Sequence, residues 1–226
     1  MNNLYSTHAK EFSRSRQSPW KGWNRLIDNK HFLDLNKSGL NILDLGCGNG
    51  RFFKYLSQRK EIKINNYLGV DNSIKLLEIA ESDSALNKTR HEFKWVDLEN
   101  ENWIEEIKSE KFDLVVGFGL LHHLRDNTYR ERIYINSYEL LNNNGILCLT
   151  FWQFVQRKDF LNKGSKLEGK NNYELPFGNS GAKRFVHYSD ISEILKLEKK
   201  VYFTIIDQYN ADGKEDTLNL YKIYKK

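Results

Sequence analysis

Proline is scarce in this chain of 226 residues, where only Pro19 and Pro176 occur. No proline-rich or low-complexity stretch separates one part from another, so no interdomain linker is expected. Cysteine is equally rare. Cys47 and Cys148 lie far apart and match no metal-ligand spacing, which excludes an encoded zinc cluster or disulfide framework and points to a reducing compartment. Long hydrophobic runs are missing as well. The longest, Leu114 to Leu121, is broken by Gly117 and Gly119 and is too short to cross a bilayer. The first residues are polar and carry no apolar core of a secretory signal. These absences predict a soluble, cytoplasmic protein with no membrane partner. Internal repeats are also missing.

What is there suits one globular unit. Hydrophobic residues make up 39% and charged residues 29% of the chain, ordinary values for a soluble domain. The formal charge is +5 and the isoelectric point about 9.0, so a polyanionic partner is favoured over an acidic-surface role. The excess is local. Lys10, Arg14, Arg16, Lys21, Arg25 and Lys30 face only Glu11 and Asp28 in the first thirty residues. Arg157, Lys158, Lys163, Lys166 and Lys170 face Asp159 and Glu168 over 156–170. For any single lysine, solvated surface is the plain explanation.

From residue 40 onward short apolar runs alternate with longer amphipathic ones. NILDL (41–45), NYLGVD (66–71), HEFKWVD (91–97), FDLVVGFG (112–119) and ILCLTFW (146–152) read as strands. FFKYLSQ (52–58), IKLLEIAES (74–82) and YRERIYINSYELL (129–141) read as helices, the last stopped by Asn142 to Gly145. This alternation predicts βαβ units and a parallel sheet covered on both faces. KVYFTIIDQY (200–209) and DTLNLYKIYKK (216–226), separated by the turn residues NADG, predict a closing antiparallel hairpin. The expected fold is therefore α/β: a doubly wound, Rossmann-like seven-stranded sheet, mostly parallel, with a C-terminal antiparallel hairpin. One domain over 1–226 is expected, with a helical extension over 1–38. The polar insertion over 153–187 is long for a loop and is read as functional or mobile.

The loop DLGCGNG (44–50) follows the first strand and opens the first helix, where a doubly wound sheet binds nucleotide-like ligands. Glycine lets the backbone approach a ligand closely. The third glycine of a dinucleotide pattern is replaced by Arg51, and Gly46, Gly48 and Gly50 instead give G-x-G-x-G behind Asp44. This resembles the first motif of the class I S-adenosylmethionine methyltransferases. Asp71, ending the second strand, suits the ribose hydroxyls, and Asp97, ending the third, matches the family's acid on the adenine amino group. The resemblance implies S-adenosylmethionine as cofactor, held by Asp44, Gly46, Cys47, Gly48, Gly50, Asp71, Asn72, Asp97, Leu98 and Gly117. Its carboxylate would meet the partly positive helix start near Gly48 to Arg51.

After the fourth strand stands GLLHHL (119–124), without the Asn-Pro-Pro-Tyr type motif that orients amino nucleophiles. With Tyr5, Ala9, Phe12, Ser13, Arg16, Pro19 and Trp20 at the N-terminus, His122–His123, and the late block Arg184, Phe185, Val186, His187 and Glu193, the chain resembles the wobble-uridine tRNA methyltransferases. Leu175, Pro176 and Phe177 loosely echo a further family element. Arg125 and Asp126 replace the family's Ser-Thr, and Val186 replaces an aromatic. The family esterifies 5-carboxymethyluridine in the anticodon. A carboxylate, ionised with a pKa of about 4, needs no general base, only placement and a cation. Arginine binds it bidentately. The resemblance thus implies Arg16, His122, Arg184 and His187 as catalytic residues and Tyr5, Trp20, His123 and Trp152 as substrate contacts, with no metal. Trp20 stands equally as a base-stacking ring and as a staple for the N-terminal helix, and Trp152 carries the same ambiguity. The implied partners are the anticodon region of tRNA and a small zinc-binding activator protein, as in eukaryotic and archaeal members. An O- or C-methyltransferase of a small metabolite, or a non-catalytic S-adenosylmethionine-binding protein, would share the same glycine loop.

Overall fold

The computed structural model describes residues 2–82, 89–108, 110–178 and 180–226. Its frame is a seven-stranded sheet in the order β3-β2-β1-β4-β5-β10-β9. The strands are β1 (Leu40–Leu45), β2 (Ile64–Asp71), β3 (His91–Trp95), β4 (Phe112–Gly117), β5 (Leu141–Trp152), β9 (Thr204–Ala211) and β10 (Asn219–Lys225). The first five run parallel, and β10 lies antiparallel between β5 and β9. The doubly wound sheet with a C-terminal antiparallel hairpin is therefore as expected.

Strict alternation along the central strands explains the two-sided burial. Leu43 and Leu45 of β1, Val115 of β4 and Leu147 and Leu149 of β5 enter one core. Leu40 and Ile42, Leu114 and Val116, and Ile146 and Cys148 enter the other. Successive residues point to opposite faces, so a strand covered by helices on both sides must be apolar throughout. Each fully buried aliphatic side chain contributes about 1.5–3 kcal/mol of transfer free energy. The covering helices include α5 (Arg51–Ser57), α6 (Ile74–Ser82), α7 (Asn127–Leu140) and α9 (Ile191–Glu198). Asp126 caps α7 by accepting from the Thr128 N–H at 2.8 Å, and Asp190 caps α9 by accepting from Glu193 N–H at 3.0 Å.

The boundaries differ from the expectation in three places. β5 begins directly after α7, so Asn142 to Gly145 belong to a strand rather than a turn, with Asn144 at φ 67° absorbing the bend. β3 ends at Trp95, which leaves Asp97 two residues beyond it. The 153–187 segment is also not a structureless loop. It contains α8 (Lys158–Leu161) and a second antiparallel sheet of β6 (Ser165–Lys166), β7 (Asn172–Pro176) and β8 (Lys183–His187).

The N-terminal residues fold as α1 (Asn2–Thr7), α2 (Ala9–Arg14), α3 (Gly22–Ile27) and α4 (Lys30–Asn36). They dock at two points. Phe12 of α2 stacks on Phe177 beyond β7, with centroids 6.1 Å apart. Gly22 N–H donates to Asp212 at 3.1 Å, against the ring of Tyr221 on β10. The arm thus bridges the small sheet and the main sheet above the carboxyl ends of the strands. Among the described residues no helix is long and apolar enough to cross a membrane.

Candidate active site

A cleft of about 680 Å³ opens at those carboxyl ends. Its floor is the glycine loop. Gly46 and Cys47 donate their N–H groups to the Val70 carbonyl at 2.8 and 3.0 Å, so the loop hangs from β2. Gly46, Gly48 and Gly50 all have positive φ (71°, 57° and 71°), a conformation that side-chain-bearing residues rarely adopt. A Cβ on Gly46 would meet Leu120 at 3.1 Å. Asp71 holds the loop from the side: one carboxylate oxygen accepts from Gly48 N–H at 2.9 Å, the other from Ser73 N–H at 2.8 Å. Burial raises its pKa, opposed by those same bonds. Asp44 is buried and accepts from the Tyr67 hydroxyl at 2.5 Å. Burial pushes its carboxyl up to about 7, ahead of the lowering by Tyr67 and the raising by Asp71.

This floor fits S-adenosylmethionine. The bare loop backbone and the start of α5 leave room for an amino-acid end. Asp71, Asn72, Asp97 and Leu98 line the same cleft toward β2 and β3, where a nucleoside would lie. Asp97 is steadied by accepting from Glu99 N–H at 3.1 Å. Gly50 does not line the cleft; it caps α5 in a left-handed conformation. Gly117 also stays outside the lining, at the end of β4.

The other end of the cleft is built from residues distant in the chain. The Arg184 guanidinium donates to the Tyr5 hydroxyl at 3.2 Å, and that hydroxyl lies 2.8 Å from His123 Nε2. Arginine can only donate, so the Tyr5 oxygen accepts from Arg184 and makes one further hydrogen bond with His123 Nε2. His122 packs against His123, with ring centroids 4.0 Å apart, and against Trp152 at 4.9 Å. Arg184 lies over Trp152 at 5.1 Å. Burial, then the Arg184 charge, brings His123 down to about 3; burial, then His123, lowers His122 well below the usual value. Both rings are therefore neutral near pH 7. His122 Nδ1 and Arg184 Nε are buried without a protein partner, while the Phe185 backbone faces the His123 ring.

Arg16 also lines the cleft, with its guanidinium over Phe12 at 5.3 Å. Burial and the proximity of Arg184 lower its pKa. Trp20 is placed as the staple and also stands at the cleft. It packs on Trp23, Phe118 and Tyr221, tying the arm to the core, and it lines the cleft. Tyr5, His122, His123 and Trp152 line it as well. His187 does not. It is buried beside Glu193 (2.7 Å) and Asn172 (2.8 Å), which occupy both ring nitrogens. No charged or ring group of His187 is therefore free for an acceptor.

Sequence reasoning overlooked Arg51. It donates to the Ser18 carbonyl at 3.2 Å and lies over Trp20 and Trp23 at 5.2 and 5.5 Å. Burial, then Arg16, takes its pKa down to about 10. Its place as first residue of the helix after a glycine loop was the available signal. Asn49, which donates to Ser13 Oγ at 3.0 Å, and Asp212 of the β9–β10 turn were overlooked too. Among the described residues no group of metal-ligating side chains is present.

Known proteins agree with this geometry. Residues 43–147 match a family described as a methyltransferase domain. A protein of Encephalitozoon cuniculi named as a methyltransferase is 24% identical over 222 residues, 92% of this chain and 88% of that one. The tRNA (carboxymethyluridine(34)-5-O)-methyltransferase ALKBH8 of Mus musculus is 27% identical over 171 residues, 75% of this chain but 22% of its own length. The mitochondrial ubiquinone biosynthesis O-methyltransferase of Candida albicans is 26% identical over 178 residues, covering 76% of this chain and 51% of that one. An S-adenosylmethionine-dependent methyltransferase structure from Clostridium acetobutylicum superposes with a TM-score of 0.68 at 16% identity over 99% of both chains, a likeness of fold. Residues 43–147 thus match a methyltransferase domain, the fold is shared with S-adenosylmethionine-dependent methyltransferases, and the cleft fits that cofactor.

Proposed function

We propose that this chain is an S-adenosylmethionine-dependent methyltransferase that methylates a carboxylate, and that its acceptor is 5-carboxymethyluridine at the wobble position of tRNA, giving the methyl ester. The observation that carries the reading is the far end of the cleft. Arg184 and Arg16 line it with no carboxylate in ion-pair reach among the described residues. Two half-buried guanidiniums without a counter-charge favour an anionic ligand, and the fork of arginine matches a carboxylate.

The protonation states support the same acceptor. His122 and His123 are poor bases because burial beside Arg184 disfavours their charged forms. A hydroxyl or amine acceptor would need a base. A carboxylate does not. The cofactor supplies an electrophilic methyl group when bound. Arg16 and Arg184 then hold the acceptor without taking a proton from it, while Tyr5 fixes the Arg184 fork and the aromatic walls Trp20 and Trp152 limit its tilt. Placement with reacting atoms roughly 3 to 3.5 Å apart supplies the remaining acceleration.

The same proposal includes tRNA as partner, drawn by the basic arm and the lysine-rich 156–170 segment, and the cytoplasm as the setting. It also includes a small zinc-binding activator on the open β3 edge, where Ile74 and Trp95 are exposed. Nucleoside mass spectrometry tests the reading. Protein, S-adenosylmethionine and tRNA rich in carboxymethyluridine should yield a nucleoside heavier by one methyl and labile to mild alkali. Unchanged tRNA from protein that binds the cofactor, with and without an activator, would transfer the assignment to a small-metabolite acceptor, the class of the Candida relative's named pathway.

A further inference from the structure

Two separate elements meet at one buried carboxylate. Glu193, in the first turn of α9, accepts from Arg130 Nε through Oε1 at 2.8 Å. Its Oε2 lies 2.7 Å from His187 Nε2. The side chains of Arg130 and His187 are 4% and 6% exposed and that of Glu193 17%, so both partners meet the carboxylate largely out of water. Losing either would leave a mostly buried charge short of a partner.

Each partner leads to a different wall of the acceptor end. Arg130, on α7, also donates through Nη1 to the Leu124 carbonyl at 2.5 Å. Leu124 follows His122 and His123 directly. His187 lies on β8, is paired with Asn172 of β7 and bonded to its side chain. Arg184 stands three residues earlier on the same strand. Three residues along a strand point to opposite faces. Arg184 therefore faces the cleft while His187 reaches back to the clamp.

We propose that Glu193 is a positioning residue for the acceptor end: by holding Arg130 and His187 on its two oxygens, it sets the spacing between the His122–His123 turn and Arg184. This rests on reading that end as the acceptor site. The Arg184–Tyr5–His123 chain of hydrogen bonds is the geometry being set. His187, matched by sequence to a catalytic position, acts through Glu193.

The test compares Glu193→Gln, His187→Leu and His187→Gln in the full chain. Histidine ¹⁵N spectra read the tautomer of His123, whose Nε2 is hydrogen-bonded to the Tyr5 hydroxyl in the unaltered protein. Glu193→Gln and His187→Leu should broaden that signal or mix its tautomers, and should lower kcat/KM for tRNA by about tenfold or more, as expected of a misplaced catalytic group. S-adenosylhomocysteine affinity should stay within about twofold, because the cofactor end is untouched. His187→Gln, which can still donate to Glu193, should restore most of both losses. An unchanged His123 signal in His187→Leu would overturn the proposal. So would a parallel fall in cofactor affinity, which would make the network a general staple of the fold. If Glu193→Gln fails to fold, His187→Leu decides by itself, because it leaves the Arg130–Glu193 pair in place. If the unaltered protein transfers no methyl to tRNA, the carboxymethyluridine reading fails alone, since the spectra need no acceptor.

Discussion

Asp44 shows how one residue couples cofactor binding to pH. Its folded pKa of about 7 is raised, so the folded protein keeps a proton that the unfolded chain gives up near pH 4. Its contribution to stability is full below about pH 4 and is lost as pH rises to about 7. His123 works in the opposite sense. Its pKa is lowered to about 3, so its contribution is present above about 6.5 and lost as pH falls. Asp44→Asn isolates the first effect. Melts of the variant should lack the decline that the unaltered protein shows between about pH 4 and 7. Cofactor affinity tests the same charge: the ligand is cationic at its ammonium and sulfonium groups, so calorimetry should find binding tightening through pH 7 in the unaltered protein and not in Asp44→Asn. Asp71 is the sharper test of the cofactor end, because it holds Gly48 and Ser73 besides facing the cleft. Asp71→Ala should weaken S-adenosylhomocysteine binding by about a hundredfold, and unaltered affinity in the same titration would remove it from the site. Arg16→Ala should keep cofactor affinity and lower transfer to the acceptor by about tenfold or more, as loss of a charge-assisted bond does.

The N-terminal arm is the element on which the site depends. It brings Tyr5, Arg16 and Trp20 to the cleft, and it is fastened where Gly22 meets β10. A Cβ at Gly22 would sit 2.4 Å from the Tyr221 ring, which is fully buried and bonded through its hydroxyl to Asp212 at 2.7 Å. The ring cannot yield cheaply. Gly22→Ala should therefore cost about 1–3 kcal/mol of stability, read as a lowered melting temperature, with acceptor transfer falling further than cofactor affinity. An unchanged melt would mean the arm has another seat. Arg51 fastens the same arm from the cofactor side by lying over Trp20 and Trp23. One element thus lines both ends of the cleft.

At the scale of the molecule, charge and shape act together. The net charge of +5 is concentrated in the arm and in the insertion that forms the small sheet, the two parts that roof the cleft. Binding of tRNA should weaken with salt, with a slope of log K against log salt of about −0.7 for each phosphate held in a single-stranded loop. Filter binding between low and moderate salt checks this, while affinity for an isolated carboxymethyl nucleoside should barely change. A flat tRNA response would remove the basic surface from recognition.

Local pattern alone determined much of this protein. Alternation of apolar runs required a parallel sheet buried on both faces, and the glycine spacing after the first strand located the cofactor end, because both follow from residues near one another in the chain. The strand-like run after Gly145 and the Asp-Gly turn likewise foretold β5 and the β9–β10 hairpin, though β5 extends back over the asparagines, which fall in the irregularity of its pairing with β4 between Leu141 and Ile146. The acceptor end was legible only as a set of residue types. Tyr5, His123 and Arg184 meet across more than a hundred residues of chain, and His187, grouped with them by sequence, is turned away by the pleat of β8 and captured by Glu193. Tertiary structure decided those partners, because which face a strand presents, and which buried carboxylate is within reach of a side chain, are set by packing between distant elements.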